Sequence, residues 1–198
     1  MAAIILYIST SCKKKEAFEP IDFQKVPVQI VKDVSVLQTN NGEISMRMMA
    51  PLMEKYSYMV DSVATNYDYY SNGFYVYAYT EDGELETRIT ANAAKHVTTT
   101  GSESWSAFGN VVVINYINRE RMESDTIYWD KANKMIHTDC YVKLSSPSGL
   151  MQGFGMQSDE RARNATILNP FDSYSVQQDS TKIYIDSINF IGPLMQRF

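Results

Sequence analysis

From Val28 onward, short runs of residues alternate between apolar and polar, separated by the turn-forming segments Asn41-Gly42, Asp82-Gly83, Lys131-Ala132-Asn133-Lys134 and Pro147-Ser148-Gly149. No window sustains an apolar pattern at i, i+3, i+4 and i+7. A chain written this way cannot build amphipathic helices, so it must bury its apolar residues on one face of β-strands. Ile44, Met46, Met48 and Ala50 share such a face, as do Leu85, Ile89 and Ala91 with Thr87 among them. The same rule selects Val112, Ile114 and Tyr116, then Ile127 and Trp129, then Ile136, Cys140, Val142 and Leu144, and last Leu150, Phe154 and Met156. Glu86, Arg88, Asp139 and Lys143 fall on the opposite, wet face.

The segment NNGEISMRMMAPLMEKY, which starts at Asn40, aligns with EDGELETRITANAAKHV, which starts 41 residues later at Glu81. Gly42 matches Gly83, Glu43 matches Glu84, Arg47 matches Arg88 and Ala50 matches Ala91. Hairpin turns reuse Asn-Gly and Asp-Gly for backbone reasons alone, which accounts for the glycines but not for the matched Arg and Ala. Ser124-Asp125, Thr138-Asp139 and Ser158-Asp159 add a weaker cadence near strand boundaries. Self-similar short strands suggest stacked layers: a β-solenoid, an open β-jelly roll or a taco-shaped sheet.

Composition narrows the function classes. With 198 residues the chain supports one good core rather than two. A net charge of -5 gives no basic field for nucleic acid, and the one basic run is Lys13-Lys14-Lys15. The aromatic residues are 14 Tyr against 2 Trp, which favours strands with a wet outer face. Neither His96 nor His137 has metal-ligand spacing, so no metal or cofactor is expected. No nucleophile elbow or phosphate-cradling loop is present, and Gly153-x-Gly155 lies within a strand pattern, where it marks a bulge or close packing. Asp125 and Asp139 read as solvated turn residues, which leaves no catalytic residues and no enzyme.

The apolar stretch from Ala2 to Ile8 is far shorter than the ~20 residues that a membrane-spanning helix requires. Ser9-Thr10-Ser11-Cys12 follows it and resembles the lipobox of bacterial lipoproteins, with Ser9 where a leucine is usual and no basic residue before the apolar run. On that resemblance Cys12 carries the lipid, the triple lysine lies against anionic headgroups, and the domain is held at a bilayer by acyl chains. Cys140, left without a partner, reads as a small buried core residue.

Residues 1–12 are therefore expected to be a signal-like segment, 13–27 a tether containing Pro20 and Pro27, and 28–168 the β domain. Residues 169–198 form a tail in which the alternation from Lys182 to Ile191 allows one extra strand.

Within the β domain, GELETRITANAAKHV, the Gly109-Asn110-Val111 turn, ESDTIYWDKANKMIHTDCYVKL and SGLMQGFGMQSD together resemble the LptC and OstA-like lipopolysaccharide-transport family. The likeness covers Val34 to Leu168. It implies an open, twisted β-jelly roll of short antiparallel strands enclosing an apolar groove. It also implies a non-enzymatic periplasmic role: lipopolysaccharide is received from an inner-membrane ABC transporter and passed to a similar LptA-like jelly roll joined edge to edge. Better-known members carry an N-terminal transmembrane helix, where this chain has an acyl-anchor motif; the inner membrane is the favoured location.

On this reading Ile89, Val112, Ile114, Ile127, Trp129, Val142, Leu144, Phe154 and Met156 line the lipid groove, although any one of them equally suits simple core packing. The edges for partner strands are sought around Val28 to Leu37 and around Met151 to Asp159 or beyond. A rival reading is a surface adhesin or glycan-binding β-sandwich that stacks Tyr67, Tyr69, Tyr70, Tyr75, Tyr77 and Tyr79 on sugar rings.

Overall fold

A computed structural model of the protein describes residues 22, 25–60, 63–176 and 182–185. Cys12, the signal-like segment and nearly all of the tether lie outside the described residues. Asn41 and Gly42 adopt φ of 52° and 90°, the left-handed pair that a two-residue hairpin turn requires. They join β1 (Gln29–Asn40) to β2 (Glu43–Val60). Then come β3 (Val63–Ser71), β4 (Phe74–Tyr79), β5 (Leu85–Ala91), β6 (Ala93–Thr99), β7 (Ser102–Asn115), β8 (Glu120–Asp130), β9 (Met135–Ser146) and β10 (Gly149–Asp159). β11 (Thr166–Pro170), β12 (Ser173–Val176) and β13 (Lys182–Ile185) complete one antiparallel sheet.

The connectivity is a meander, and every long strand is creased near its middle. β2 pairs with β4 up to Met49 and with β3 from Leu52 onward. β3 and β4 are separated only by Asn72 and Gly73, and β5 and β6 only by Asn92, so each pair is one bent strand. β7 pairs with β6 before Gly109 and with β5 beyond Val111. Asn72, Gly73, Gly109, Asn110 and Gly155 all have positive φ, and pairing slips at Phe108/Val111, Ser124/Tyr128 and Phe154/Met156. Backbone bonds from Gly73 N to the Asn92 carbonyl and from Asn92 N to the Gly109 carbonyl, each 2.8 Å, run along the crease. The sheet is thus folded into two leaves. The first holds β4, β5 and the adjoining halves of β2 and β7, and the second holds β3, β6 and the other halves.

Inward side chains from both leaves make the core. Ala50, Ala91, Ala94 and Ala107 lie beside the crease, where short side chains let the leaves approach. Met48, Tyr70, Phe74, Val113, Met122, Ile127, Ile136, Val142 and Met156 fill the space beyond them. The all-β, antiparallel architecture agrees with the alternation of the sequence. The strands run longer than the short ones expected, up to 18 residues in β2, because a creased strand serves both leaves. The 41-residue repeat corresponds to every second strand: each copy leaves a turn, crosses the first leaf and reaches the crease at Ala50 or Ala91.

Several faces differ from the simple alternation. The Gly109-Asn110 segment is a bulged crease inside β7 rather than a turn, so Val111, Val113 and Asn115 point inward while Val112, Ile114 and the exposed Tyr116 do not. Gly155, at φ 78°, does the same in β10, leaving Met156 fully buried and Phe154 outward. Glu86 is the extra residue where the β4–β5 register slips between Ala78 and Tyr79, and it is buried instead of wet. Cys140 is free and half-buried. The sheet also continues beyond residue 168, through the end of β11 and through β12 and β13.

The second glycine signal has a packing cause. A Cβ on Gly153 would stand 2.2 Å from the Asn169 carbonyl oxygen of the neighbouring strand. Gly153→Ala should therefore part β10 from β11 and lower stability by about 2 kcal/mol or more. Gly42→Ala, at φ 90° with nothing nearby, should lose only the turn preference, about 1 kcal/mol. Urea unfolding of the two variants compares them directly, and equal losses would refute the close-approach explanation.

Candidate functional site

The inner faces of the leaves enclose a cavity of about 130 Å³. Met46, Met48, Phe74, Val76 and Ile89 line it from the first leaf, and Trp105, Ala107, Ile127, Trp129 and Ile136 from the second. Glu160 and Arg161 also line it. The walls are aliphatic and aromatic because the inward positions of six strands, β2, β4, β5, β7, β8 and β9, converge there, opposite one another across the fold.

An aromatic stack braces the second leaf. Trp105 lies parallel to Tyr70 at 5.8 Å and to His96 at 4.1 Å, and Phe74 leans against both Tyr70 and Trp105. Burial, with help from the Asp68 charge, pushes the Tyr70 phenol up to about 12, so it stays neutral. The Trp105 indole N–H donates to Glu103 at 3.4 Å, whereas the buried Trp129 indole nitrogen has no hydrogen-bond partner among the described residues.

Outward from Trp105 runs a charged network on the same face. His96 Nε2 is 3.1 Å from Glu103 Oε1, its Nδ1 is 3.6 Å from Asp68, and Lys131 Nζ bonds both Glu103 oxygens. These groups sit where the register aligns Asp68 with His96 and His96 with Trp105. A wider, open hollow of about 680 Å³ lies at the tips of β7 and β8, among Ser102, Glu103, Ser104, Lys131 and Asn133.

Residues 160–165 loop from the end of β10 back to the start of β11, its antiparallel partner, and reach across to the first leaf as a strap. Asp159 braces it: its carboxylate accepts from the backbone N–H groups of Arg161 and Arg163, both at 2.9 Å, and from the Arg163 side chain. Arg161 Nη1 then reaches Glu86 Oε2 at 2.9 Å, and the Arg161 carbonyl accepts from the Thr87 hydroxyl. Beyond the strap is a second, smaller cavity of about 10 Å³, lined by Val113, Met122, Leu144, Ala162 and Ala165 among others.

Of the nine residues read from the sequence as groove-lining, Ile89, Ile127 and Trp129 line the main cavity and Leu144 lines the smaller one. Val142 and Met156 are fully buried in the core. Val112 and Ile114 face away from both cavities, and Phe154 is 53% exposed, packed with Tyr141 and Phe171 on the outer face. Sequence reasoning missed Met46, Phe74, Val76 and Trp105 as lining residues, although the Phe74–Tyr79 alternation carried that information for two of them. It also missed the Glu86–Arg161 pair, whose members are 75 residues apart.

The tyrosines divide. Tyr70 points inward, while Tyr67 and Tyr69 lie on the outer face of the second leaf and Tyr75, Tyr77 and Tyr79 alternate with the inward Phe74, Val76 and Ala78. Tyr67 is stacked on Tyr56 at 4.6 Å and carries the Lys95 ammonium over its ring. Comparison with known proteins adds no identity: no family model and no curated protein matches the chain. Among the described residues no helix is long and apolar enough to cross a membrane.

The hydrogen bond from Lys131, joined by that from Trp105 and by the nearby positive charges, holds the Glu103 carboxyl below its usual value near 4.5. A lowered carboxylate stabilises the fold fully above the unfolded value and loses that contribution as pH falls through the lowered one. Glu103→Gln should therefore cost about 0.5 kcal/mol near pH 6, since the group is partly exposed, and less near pH 3. Denaturant titrations of both proteins at the two pH values test this, and a pH-independent difference would contradict it.

Proposed function

We propose that this chain is a non-enzymatic lipid-transport module, the role its resemblance to the LptC and OstA-like family implies. It receives lipopolysaccharide from an inner-membrane ABC transporter and hands it to a similar LptA-like jelly roll. The observation that carries the reading is the cavity between the leaves, walled by Met46, Phe74, Ile89, Trp105, Ile127 and Trp129. An acyl chain cannot cross water freely, since each exposed methylene costs about 0.8 kcal/mol. A space of about 130 Å³ is close to that of an apolar cavity that takes up benzene, so it suits the end of one acyl chain with the headgroup outside.

Handing a lipid onward needs an edge for the partner. β1 pairs only with β2 among the described residues, leaving its other backbone edge open. Ile30, Val36 and Leu37 are exposed along it, at 57%, 44% and 51%, which suits strand addition by another sheet. β10 is not an edge, because β9 flanks it on one side and β11 and β12 on the other; the far edge lies at β11 to β13. In this proposal Cys12 is acylated and tethers the module at the periplasmic face of the inner membrane.

Photoreactive residues at Ile89, Ile127 and Trp129, irradiated in the native cell envelope, should form lipopolysaccharide adducts, while Ile114 and Asp139 should not. No adduct at any cavity position would sink the transport reading and favour a saccharide held on the outward tyrosines.

A further inference from the structure

We infer that residues 160–165 are a movable gate within one acyl-chain groove, and that the smaller cavity behind them is the distal part of the same site. The inference rests on the lipid-transport reading and specifies how that site is entered and how long a chain it holds. The two cavities touch opposite sides of the strap: Glu160 and Arg161 line the larger, Ala162 and Ala165 the smaller. Their walls are continuous elsewhere, since Thr87 of the larger cavity is the register partner of Asn115 of the smaller. Lifting the strap merges them, and the merged trough runs on past Val113, Met122 and Leu144, with Asn115, Glu120 and Ser158 at its polar margin.

The strap is built to lift. Its contribution to the core is two alanines, so little apolar area holds it down. Ala162 and Asn164 both adopt left-handed conformations, at φ 57° and 56°, which favour release of the segment. Asp159 keeps residues 159–163 folded as a unit through its own bonds. What fastens that unit to the first leaf is the ion pair of Arg161, half-exposed, with the buried Glu86, together with the Thr87 hydroxyl bond. A group that swings out intact while one exposed guanidinium leaves a buried carboxylate behaves as a latch.

The test uses the full chain, with long-chain cis-parinarate and short-chain octanoate as probes. Arg161→Ala and Glu86→Gln should speed parinarate uptake about tenfold. In Arg161→Ala a cysteine placed at Ala165, whose side chain packs against the core beneath the strap, should react with a thiol reagent about tenfold faster, with Cys140 unchanged. Leu144→Trp, which fills the distal compartment, should weaken parinarate but not octanoate. If the Ala165 cysteine reacts no faster in Arg161→Ala, or if wild type and latch variants take up parinarate equally fast, the gate is overturned while the carrier reading stands. If Leu144→Trp leaves parinarate unaffected, the distal site is overturned. Should the strap open locally while neither probe enters any variant, the carrier reading falls and the gate with it.

Discussion

Everything in this protein depends on a crease. A flat antiparallel meander of this length would expose one apolar face to water along its whole width. Folding the sheet across its strands lets that face cover itself, so a single sheet supplies both walls of its own interior. The crease is held by main-chain bonds that link Gly73, Asn92 and Gly109 on neighbouring strands. It is made possible by left-handed residues at Asn72, Gly73, Gly109, Asn110 and Gly155. The alanines beside it set how closely the leaves approach, and the larger side chains farther out set how far they diverge. The cavity is what remains between them.

The same device explains which parts of the fold were legible in the sequence. Alternation is readable wherever a strand runs uninterrupted: Met46, Met48 and Ala50, or Ile127 and Trp129, take the face that their spacing assigns. It fails one residue past a bulge, because a single extra residue transfers every later side chain to the other face. That is why Val112 and Ile114 exchange places with Val111 and Val113, why Phe154 points out, and why Glu86 points in. The Gly-Asn and Gly-x-Gly signals were visible, but a glycine in a strand does not reveal whether it ends the strand or bends it. The 41-residue repeat was the better guide, since only a unit that recurs every two strands places Ala50 and Ala91 alike at the fold line.

The site was less legible than the fold for a different reason. Its walls come from creased strands whose pairing partners are set by the meander and could be approximated from chain order. The strap and its anchor have no local signature, because Glu86 and Arg161 meet only after the whole sheet has closed. The aromatic stack is similar. Tyr70 looked like one of a row of surface tyrosines, yet strand parity turns it toward Trp105 and His96 while Tyr67 and Tyr69 remain outside.

The ion pair of Arg161 with Glu86 at the cavity wall is physically informative. A buried carboxylate must be desolvated, and the attraction of its partner offsets that cost only in part, so such a pair contributes little net stability compared with apolar packing of the same volume. Filling the gap between the leaves with leucine or phenylalanine would make a more stable and permanently closed core. Instead the closing segment offers Ala162 and Ala165 to the interior, and one guanidinium to one carboxylate. An ion pair with one exposed member can exchange protein for water without exposing much apolar surface, whereas an apolar plug of equal size cannot. The composition of the strap therefore favours reversible closure over maximal stability.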